Sequence, residues 1–197
     1  MFYRKDHGYI FVHNPKAAGR SIRTALDYDE PLPCPVSHVP LYAIDDHEKY
    51  FSFGFVRNPW DRLVSYYSYL CQRPNEGKDN YSRKQVKSLG FNKWLINSRM
   101  LLFGDDHPDV NINKMKSVQA RSQMWWLEGC DFIGQFENLN EDLKQAAYWG
   151  GFEIKNPLKN LNLTKHNHYT QYYDQNSVNF VKKYFEEDID RFGYKYE

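Results

Sequence analysis

The sequence lacks a long apolar run and a hydrophobic leader. None of its apolar runs approaches the roughly 20 residues that a helix needs to cross a membrane. The first residues, MFYRKDHGYIFV, contain only a short apolar run after several charges, which is not the pattern of a secretory signal peptide. We therefore expect a cytoplasmic protein that makes no contact with a membrane.

Cysteine is scarce too, and neither sign of charge is in clear excess. The three cysteines are widely spaced and form no CxxC pair, which favours reduced thiols in the cytosol. Lys and Arg number 26 against 25 Asp and Glu, so no general basic surface for nucleic acid is expected and any anion site must be local. A metal site is not expected, because His166 and His168 have no companion Cys or carboxylate at ligand spacing.

The sequence does contain enough apolar residues for a packed core. With 197 residues, 41% of them hydrophobic, and no internal repeat, the chain is expected to form a single domain over residues 1–197. Three compact apolar segments, residues 9–13, 50–57 and 131–139, have the length and composition of buried strands. Because a helical pattern follows each of them, we predict an α/β fold with a central, mainly parallel sheet flanked by helices in three layers.

Several helix boundaries are indicated as well. Asn58 is a suitable N-cap, Pro59 suits the first helical position, and Asp61 places a carboxylate in the first turn. The glycine pair at 150–151 indicates where the helix after the third strand ends. Apolar spacing predicts two more helices, at residues 90–103 and 178–192. The polar stretch at residues 72–84 is expected to be a loop.

The most informative stretch is FVHNPKAAGRSIRTAL, residues 11–26, where a strand leads through a tight turn into a helix. This arrangement directs backbone N–H groups and the positive end of the helix dipole to one point, where an anion is stabilised. Small side chains let the anion approach the backbone, and Gly19 permits a positive φ angle. Mobile charge and side-chain donors come from Lys16, Arg20 and Ser21. The candidate anion-binding residues are Lys16, Ala17, Ala18, Gly19, Arg20, Ser21 and Ile22.

This loop is not the phosphate loop of ordinary nucleotide triphosphatases. The pattern GxxxxGK[ST] is absent, because Lys16 precedes the small residues instead of following a second glycine. An alternative interpretation is a simple strand-to-helix turn, in which Ser21 caps the helix and the basic residues face solvent. The loop alone does not decide between these interpretations.

A second candidate site follows the second predicted strand. Arg57 comes at its carboxyl end, the edge at which α/β folds bind ligands. Ser65 lies in the second turn of the following helix, so its hydroxyl can point toward the same edge. An Arg fork and a hydroxyl suit a second phosphate. The alternatives are an ion pair between Arg57 and Asp61, and a solvent-facing Ser65.

These segments resemble the sulfotransferases, in the carbohydrate-type, family 2-like branch. HNPKAAGRS is similar to the family's 5′-phosphosulfate-binding loop, and FGFVRNPWDRLVSYY to its 3′-phosphate-binding segment. DFIGQFENLNEDL and the ending HYTQYYDQNSVNFVKKYFEEDIDRFGYKY are also similar, so the resemblance covers most of the chain in the family's order. It implies a P-loop-like α/β fold, and an enzyme that uses 3′-phosphoadenosine 5′-phosphosulfate (PAPS) without a metal and releases adenosine 3′,5′-bisphosphate.

The resemblance also implies roles for particular residues. Lys16 would neutralise the bridging oxygen of the donor, the amides of residues 17–22 would hold its 5′-phosphate, and Arg57 and Ser65 would hold its 3′-phosphate. A hydroxyl acceptor needs a general base, for which His38 is the first candidate because related proteins often carry a His in that loop. His47 and Glu48 are weaker candidates for the base. The acceptor implied is a carbohydrate or small molecule with a hydroxyl or amine.

Three positions depart from the family pattern. Family loops often carry Thr where this chain has Ala17 and Arg20, and Gln135 replaces a frequent Arg. Two other functions are therefore kept open: a P-loop kinase for a small molecule, and a catalytically inactive module that binds a nucleotide or carbohydrate. The kinase would need a Mg²⁺-binding Ser or Thr directly after its loop Lys, and this loop has Ala17 there.

Overall fold

A computed structural model gives the structure of the chain and describes residues 2–4, 8–27, 39–72, 83–97, 121–159 and 166–197. The chain divides into two compact units, each built from two separate segments. The first unit spans Met1–Arg57 and Gln123–Leu163, and the second spans Asn58–Ser122 and Thr164–Glu197. That residues 1–197 form one domain stays a prediction.

The first unit contains a four-stranded sheet. Its strands, in spatial order, are β1 (Phe2–Arg4), β2 (Tyr9–Val12), β3 (Phe51–Val56) and β4 (Phe132–Gln135). β1 pairs antiparallel with β2, whereas β2, β3 and β4 run parallel to one another. The three strands predicted from sequence and the mainly parallel sheet are thus confirmed. The sequence did not indicate β1, because three residues are too few to show a periodic pattern.

The described residues also form seven α-helices. They are α1 (Gly19–Ala25), α2 (Pro59–Gln72), α3 (Arg83–Asn97), α4 (Gln123–Leu127), α5 (Leu139–Gly150), α6 (Gln175–Tyr184) and α7 (Glu186–Phe192). α1, α4 and α5 belong to the first unit and the other four to the second. No described helix combines the length and the apolar composition that crossing a membrane requires.

Helices cover both faces of the sheet in the first unit. Phe53 and Phe55 on β3 share a buried cluster with Ile22 of α1 and Leu143 of α5. Side chains alternate along a strand, so Gly54 faces the other way. A Cβ placed on Gly54 would lie 2.2 Å from a methyl carbon of Leu127, so α4 approaches that second face closely. The predicted three layers are therefore present: helices, sheet and helix.

The beginning of α2 follows the sequence signals. The Asn58 side-chain oxygen accepts hydrogen bonds from the backbone N–H groups of Trp60 and Asp61, at 3.1 and 3.4 Å. Pro59 is the first helical residue, where its missing N–H leaves no intrahelical bond unmade. The predicted N-cap is confirmed.

The second unit is organised around aromatic side chains. Trp60 of α2 and Trp94 of α3 are almost fully buried, in a cluster that also includes Val181 of α6 and Phe185. Tyr67 meets Phe91 edge to face at a centroid distance of 5.4 Å, an arrangement that aromatic quadrupoles favour. Large rings thus join the helices of this unit.

Two predicted elements differ from the structure. The described part of the predicted loop at 72–84 includes the start of α3, which begins at Arg83 and contains a non-helical residue, Gly90, with φ of 69°. The predicted helix at 178–192 is two helices, because the chain breaks at Phe185. Phe185 is itself buried, so the apolar spacing continues through the break and hides it.

Candidate functional site

The loop between β2 and α1 is a sharply folded turn. Lys16 and Ala18 both adopt the left-handed backbone region, with φ of 68° and 61°. Non-glycine residues rarely adopt this region, and strained positions of this kind concentrate at functional sites. Within the turn, the N–H of Ala17 donates to the carbonyl of Asn14 at 3.4 Å. The turn therefore has a defined, locally strained conformation.

Gly19 has a different role from the one expected. It is the first residue of α1 and is not among the residues with positive φ, which in this loop are Lys16 and Ala18. A Cβ at Gly19 would lie only 1.9 Å from the ring of His13. The His13 ring stacks in turn on Phe11, with 19° between the planes. Glycine is needed here because the helix begins against an aromatic ring.

The Lys16 ammonium is partly withdrawn from water. Burial, and next the positive charge of Arg57, lower the pKa of Lys16 from 10.5 to about 8. The charged form is thus less favourable than that of an exposed lysine, and a bound anion would reverse the shift.

Arg57 lies beside this loop, as expected. It follows directly after β3 and is 9% exposed. Its guanidinium Nη1 donates to the carbonyl oxygen of Lys16 at 3.2 Å, and the guanidinium carbon lies 4.1 Å from the centre of the Phe136 ring. The structure therefore brings two predicted site residues, Lys16 and Arg57, to one place.

Two buried amides that the sequence did not reveal support Arg57. The side chain of Gln123 accepts a hydrogen bond from the Arg57 N–H and donates one to the Arg57 carbonyl, both at 2.8 Å. Asn14 donates to the same Gln123 oxygen at 3.0 Å and to the carbonyl of Phe55 at 2.8 Å. Asn14 had a weak signal in its position between a strand and a turn. Gln123 had none, because its neighbours in sequence form no recognisable motif.

The remaining loop residues differ in exposure. Ala17, Ser21 and Ile22 are buried, whereas the side chain of Arg20 is exposed. Ala18 is half-buried. The N-cap of α1 is Ala18 and no side chain caps the helix, so Ser21 is not the cap that the alternative interpretation expected. Exposed Arg20 agrees with the solvent-facing basic residues of that interpretation and is also accessible to an incoming ligand.

Ser65 and His38 are the other two predicted site residues. Ser65 lies in the second turn of α2 and is 4% exposed, so the alternative of a solvent-facing serine is wrong. It belongs to the second unit and Arg57 to the first, and their joint action stays a prediction. His38 lies outside the described residues.

Three other histidines have local contacts. His47 Nε2 is 3.5 Å from a carboxylate oxygen of neighbouring Glu48. His168 Nδ1 lies 2.9 Å from the Thr170 hydroxyl, and His166 Nδ1 lies 2.8 Å from the carbonyl of Asn167. Among the residues that the structure describes, no three His, Cys, Asp or Glu side chains form a group that could hold a metal ion.

Comparison with known proteins identifies a family for this chain. A family model described as "Sulfotransferase family" matches residues 36–195. No curated protein and no solved structure matches the chain. The matched range includes His38, Arg57 and Ser65 but begins after the loop that contains Lys16. The assignment of that loop therefore depends on its own residues and geometry.

Proposed function

The chain belongs to the sulfotransferase family, and from this membership we propose that it transfers a sulfuryl group from PAPS to a hydroxyl or amine. The acceptor in this proposal is a carbohydrate or a small molecule. Family membership supports sulfuryl transfer in general, and the choice of PAPS is supported by the cations around the β2–α1 loop.

The observation that carries the proposal is the convergence of Lys16 and Arg57. Burial, and next the positive charge of Arg57, lowers the pKa of Lys16, so the charged ammonium is electrostatically unfavourable at this position. An anionic ligand next to both groups would offset this repulsion. The phosphate groups of a 3′,5′-substituted nucleotide fit two adjacent cations better than a singly charged ligand would.

In the proposed reaction, the acceptor oxygen or nitrogen attacks sulfur in line with the bridging oxygen. A new O–S or N–S bond forms, the S–O bond to the 5′-phosphate breaks, and its electron pair remains on the departing adenosine 3′,5′-bisphosphate. Lys16 would stabilise the negative charge that develops on the bridging oxygen and would supply a proton there. A pKa of about 8 suits this task near neutral pH.

The other proposed roles concern binding and proton removal. Backbone amides of residues 17–22 would hold the 5′-phosphate, with donors from the side chains of Arg20 and Ser21. Arg57 and Ser65 would hold the 3′-phosphate. His38 would accept the proton of a hydroxyl acceptor.

The two departures in the loop affect this binding in opposite ways. Ala17 provides no hydroxyl where family loops often have Thr, so one donor to the phosphate is lost. Arg20 also replaces Thr, but its exposed side chain adds a positive charge. We propose that the donor is held more by charge and less by neutral hydroxyl contacts in this protein.

Isothermal titration calorimetry with adenosine 3′,5′-bisphosphate tests the donor. We expect binding without Mg²⁺, and weaker binding of ATP. Binding of ATP with Mg²⁺, and none of the bisphosphate, would identify a kinase and overturn the proposal.

Transfer itself requires a second assay. The protein is incubated with PAPS carrying labelled sulfur and with carbohydrate and small-molecule acceptors that bear hydroxyls or amines. We expect label in an acceptor and stoichiometric release of adenosine 3′,5′-bisphosphate. Bisphosphate binding without any transfer would support an inactive nucleotide-binding module instead.

A further inference from the structure

We propose that Gln123 is a positioning residue, which holds Arg57 beside Lys16 and thereby confers preference for ligands with a 3′-phosphate. This inference rests on the proposed function, because it assumes that Arg57 contacts that phosphate. The residue lies outside the motifs that resemble the family's binding segments.

The side chain of Gln123 substitutes for a neighbouring strand. The last residue of β3, Val56, pairs with Gln135, the last residue of β4, so the paired strands end just before Arg57. At Arg57 the Gln123 amide supplies what a further strand residue would supply, an acceptor for the N–H and a donor for the carbonyl, both at 2.8 Å. Two hydrogen bonds to one residue fix the direction in which its side chain leaves the backbone.

Burial makes this contact rigid. Gln123 is 0% exposed, so water does not compete for its amide, and a broken bond would leave a buried polar group unsatisfied. At its other end, the guanidinium of Arg57 donates to the Lys16 carbonyl at 3.2 Å and lies 4.1 Å from the centre of the Phe136 ring. Gln123 fixes the backbone from which this side chain extends.

The same amide connects Arg57 to the loop. Its oxygen also accepts from Asn14, at 3.0 Å, and Asn14 lies two positions before Lys16. Asn14 donates in addition to the carbonyl of Phe55 on β3, at 2.8 Å. One buried amide thus joins the residues that follow β2 to those that follow β3.

A positioning group is needed because the two cations repel each other. Burial lowers the pKa of Lys16 most and the positive charge of Arg57 lowers it further, so holding the two cations close together is electrostatically unfavourable. A flexible Arg57 would turn toward solvent and would have to be brought back when the ligand binds. Holding the backbone in advance removes part of that ordering cost.

The test compares the substitution Gln123→Met with wild type by calorimetry. Met has similar length but forms none of the hydrogen bonds. Losing a fixed, charge-assisted contact is expected to weaken the affinity for adenosine 3′,5′-bisphosphate by roughly tenfold. The affinity for adenosine 5′-monophosphate, which lacks the 3′-phosphate, is expected to change by less than about twofold. Equal losses for both ligands would show a merely structural role and overturn the proposal.

Ser52→Ala is the matched control. Ser52 lies near the opposite end of β3, and its hydroxyl donates to an Asp131 carboxylate oxygen at 2.8 Å. This variant also removes a hydrogen bond from the same strand, so it reports the effect of general destabilisation. We expect it to leave the ratio of the two affinities unchanged, and an altered ratio would count against the proposal.

Arg57→Ala separates failure of this inference from failure of the proposed function. If Arg57→Ala weakens only the bisphosphate and Gln123→Met weakens neither ligand, Arg57 binds the 3′-phosphate but Gln123 does not position it. If Arg57→Ala affects neither ligand, the assigned role of Arg57 is itself wrong. In the Arg57→Ala background, Gln123→Met should cause no further loss of bisphosphate affinity, and an additional loss would contradict action through Arg57.

A milder variant covers the case in which Gln123→Met does not fold. Gln123→Asn keeps an uncharged amide but is one methylene too short to reach both the N–H and the carbonyl of Arg57. The same selective loss of bisphosphate affinity is expected, and its absence in a folded Gln123→Asn protein would overturn the proposal.

Discussion

Lys16 combines a strained backbone with a charge held in an unfavourable place. Its φ of 68° and its lowered pKa both make the loop less stable than an ordinary turn. Both features have a use if an anion binds there, because a ligand that neutralises the charge offsets this loss of stability.

Nucleotide affinity is expected to depend on pH. In the free protein Lys16 loses its proton as pH rises through about 8. A bound phosphate raises that pKa, so binding takes up a proton above pH 8 and affinity for adenosine 3′,5′-bisphosphate should fall by up to about tenfold per pH unit. Calorimetry between pH 7 and 9.5, in buffers of different ionisation enthalpy, measures both effects. The variant Lys16→Met should show neither, and a flat profile in wild type would contradict the prediction.

Lys16→Met should also change stability, and in the favourable direction. The folded-state pKa lies near 8 and the ordinary value is 10.5, so folding disfavours the charged amine by about 1 to 3 kcal/mol at pH 7. Met removes that penalty, so the free energy of unfolding of the Lys16→Met variant should be higher than that of wild type by a similar amount. Turnover by this variant should be lost. Between pH 8 and 10.5 the unfolded wild-type chain binds more protons, so wild-type stability should rise relative to Lys16→Met. Urea unfolding at pH 7 and pH 10 measures this difference, and a gap that widens at pH 10 would be the wrong sign.

His38 permits a separation of binding from catalysis. We expect His38→Ala to retain affinity for adenosine 3′,5′-bisphosphate within about twofold and to lose turnover by roughly a hundredfold or more, as general bases commonly contribute. Calorimetry and the labelled-sulfur assay measure the two quantities on one preparation. His47→Ala is the control, since that histidine lies beside Glu48 in a short turn. Unchanged turnover in His38→Ala would remove the residue from the mechanism.

At the scale of elements, the beginning of α1 depends on one close contact. Gly19→Ala should destabilise the protein by about 1 to 3 kcal/mol, because the new methyl group would overlap the ring of His13. Removing the ring should relieve the overlap, so the double variant His13→Ala/Gly19→Ala should lose less stability than the two single losses added together. Thermal unfolding of all four proteins completes the cycle. Strict additivity would mean that His13 is not the obstacle.

The elements that sequence patterns predicted are those defined by neighbouring residues. β2 and β3 are short buried strands with nearly continuous apolar runs, and β4 is a short, half-buried strand with three apolar residues. The start of α2 depends on Asn58 and Pro59, which act within one helical turn. The division between α6 and α7 was missed because Phe185 faces the core at the break and preserves the apolar spacing.

The candidate site was predictable only in part, for a related reason. Lys16 and Arg57 carry charges in recognisable motifs, and the two motifs occurring together favour anion binding. Asn14 and Gln123 act through hydrogen bonds to backbone groups of residues far away in sequence, and no local pattern encodes such a partner. The sequence indicated that Gly19 matters, but glycine is needed there because of the His13 ring, and the position of that ring depends on how α1 packs.

At the scale of the whole molecule, the chain passes between its two compact units three times, after Arg57, Ser122 and Leu163. Neither unit is a continuous piece of chain, so neither can be excised without cutting the other. We therefore expect residues 1–197 to unfold as a single domain, in one calorimetric transition whose calorimetric and van't Hoff enthalpies agree. Adenosine 3′,5′-bisphosphate should move that whole transition upward. Two resolved transitions, with only one shifted by ligand, would show separate domains.

The long sequence separation between Arg57 and Gln123 has a consequence for biosynthesis. The two residues are 66 positions apart, so at ribosomal rates Arg57 is made roughly 3 to 13 seconds before its partner. During that interval the N–H and carbonyl of Arg57 can form hydrogen bonds only with water or with temporary partners. β4 has not yet been translated either. The nascent chain consequently completes the proposed anion site late, so we do not expect adenosine 3′,5′-bisphosphate to act as a template for the early steps of cotranslational folding.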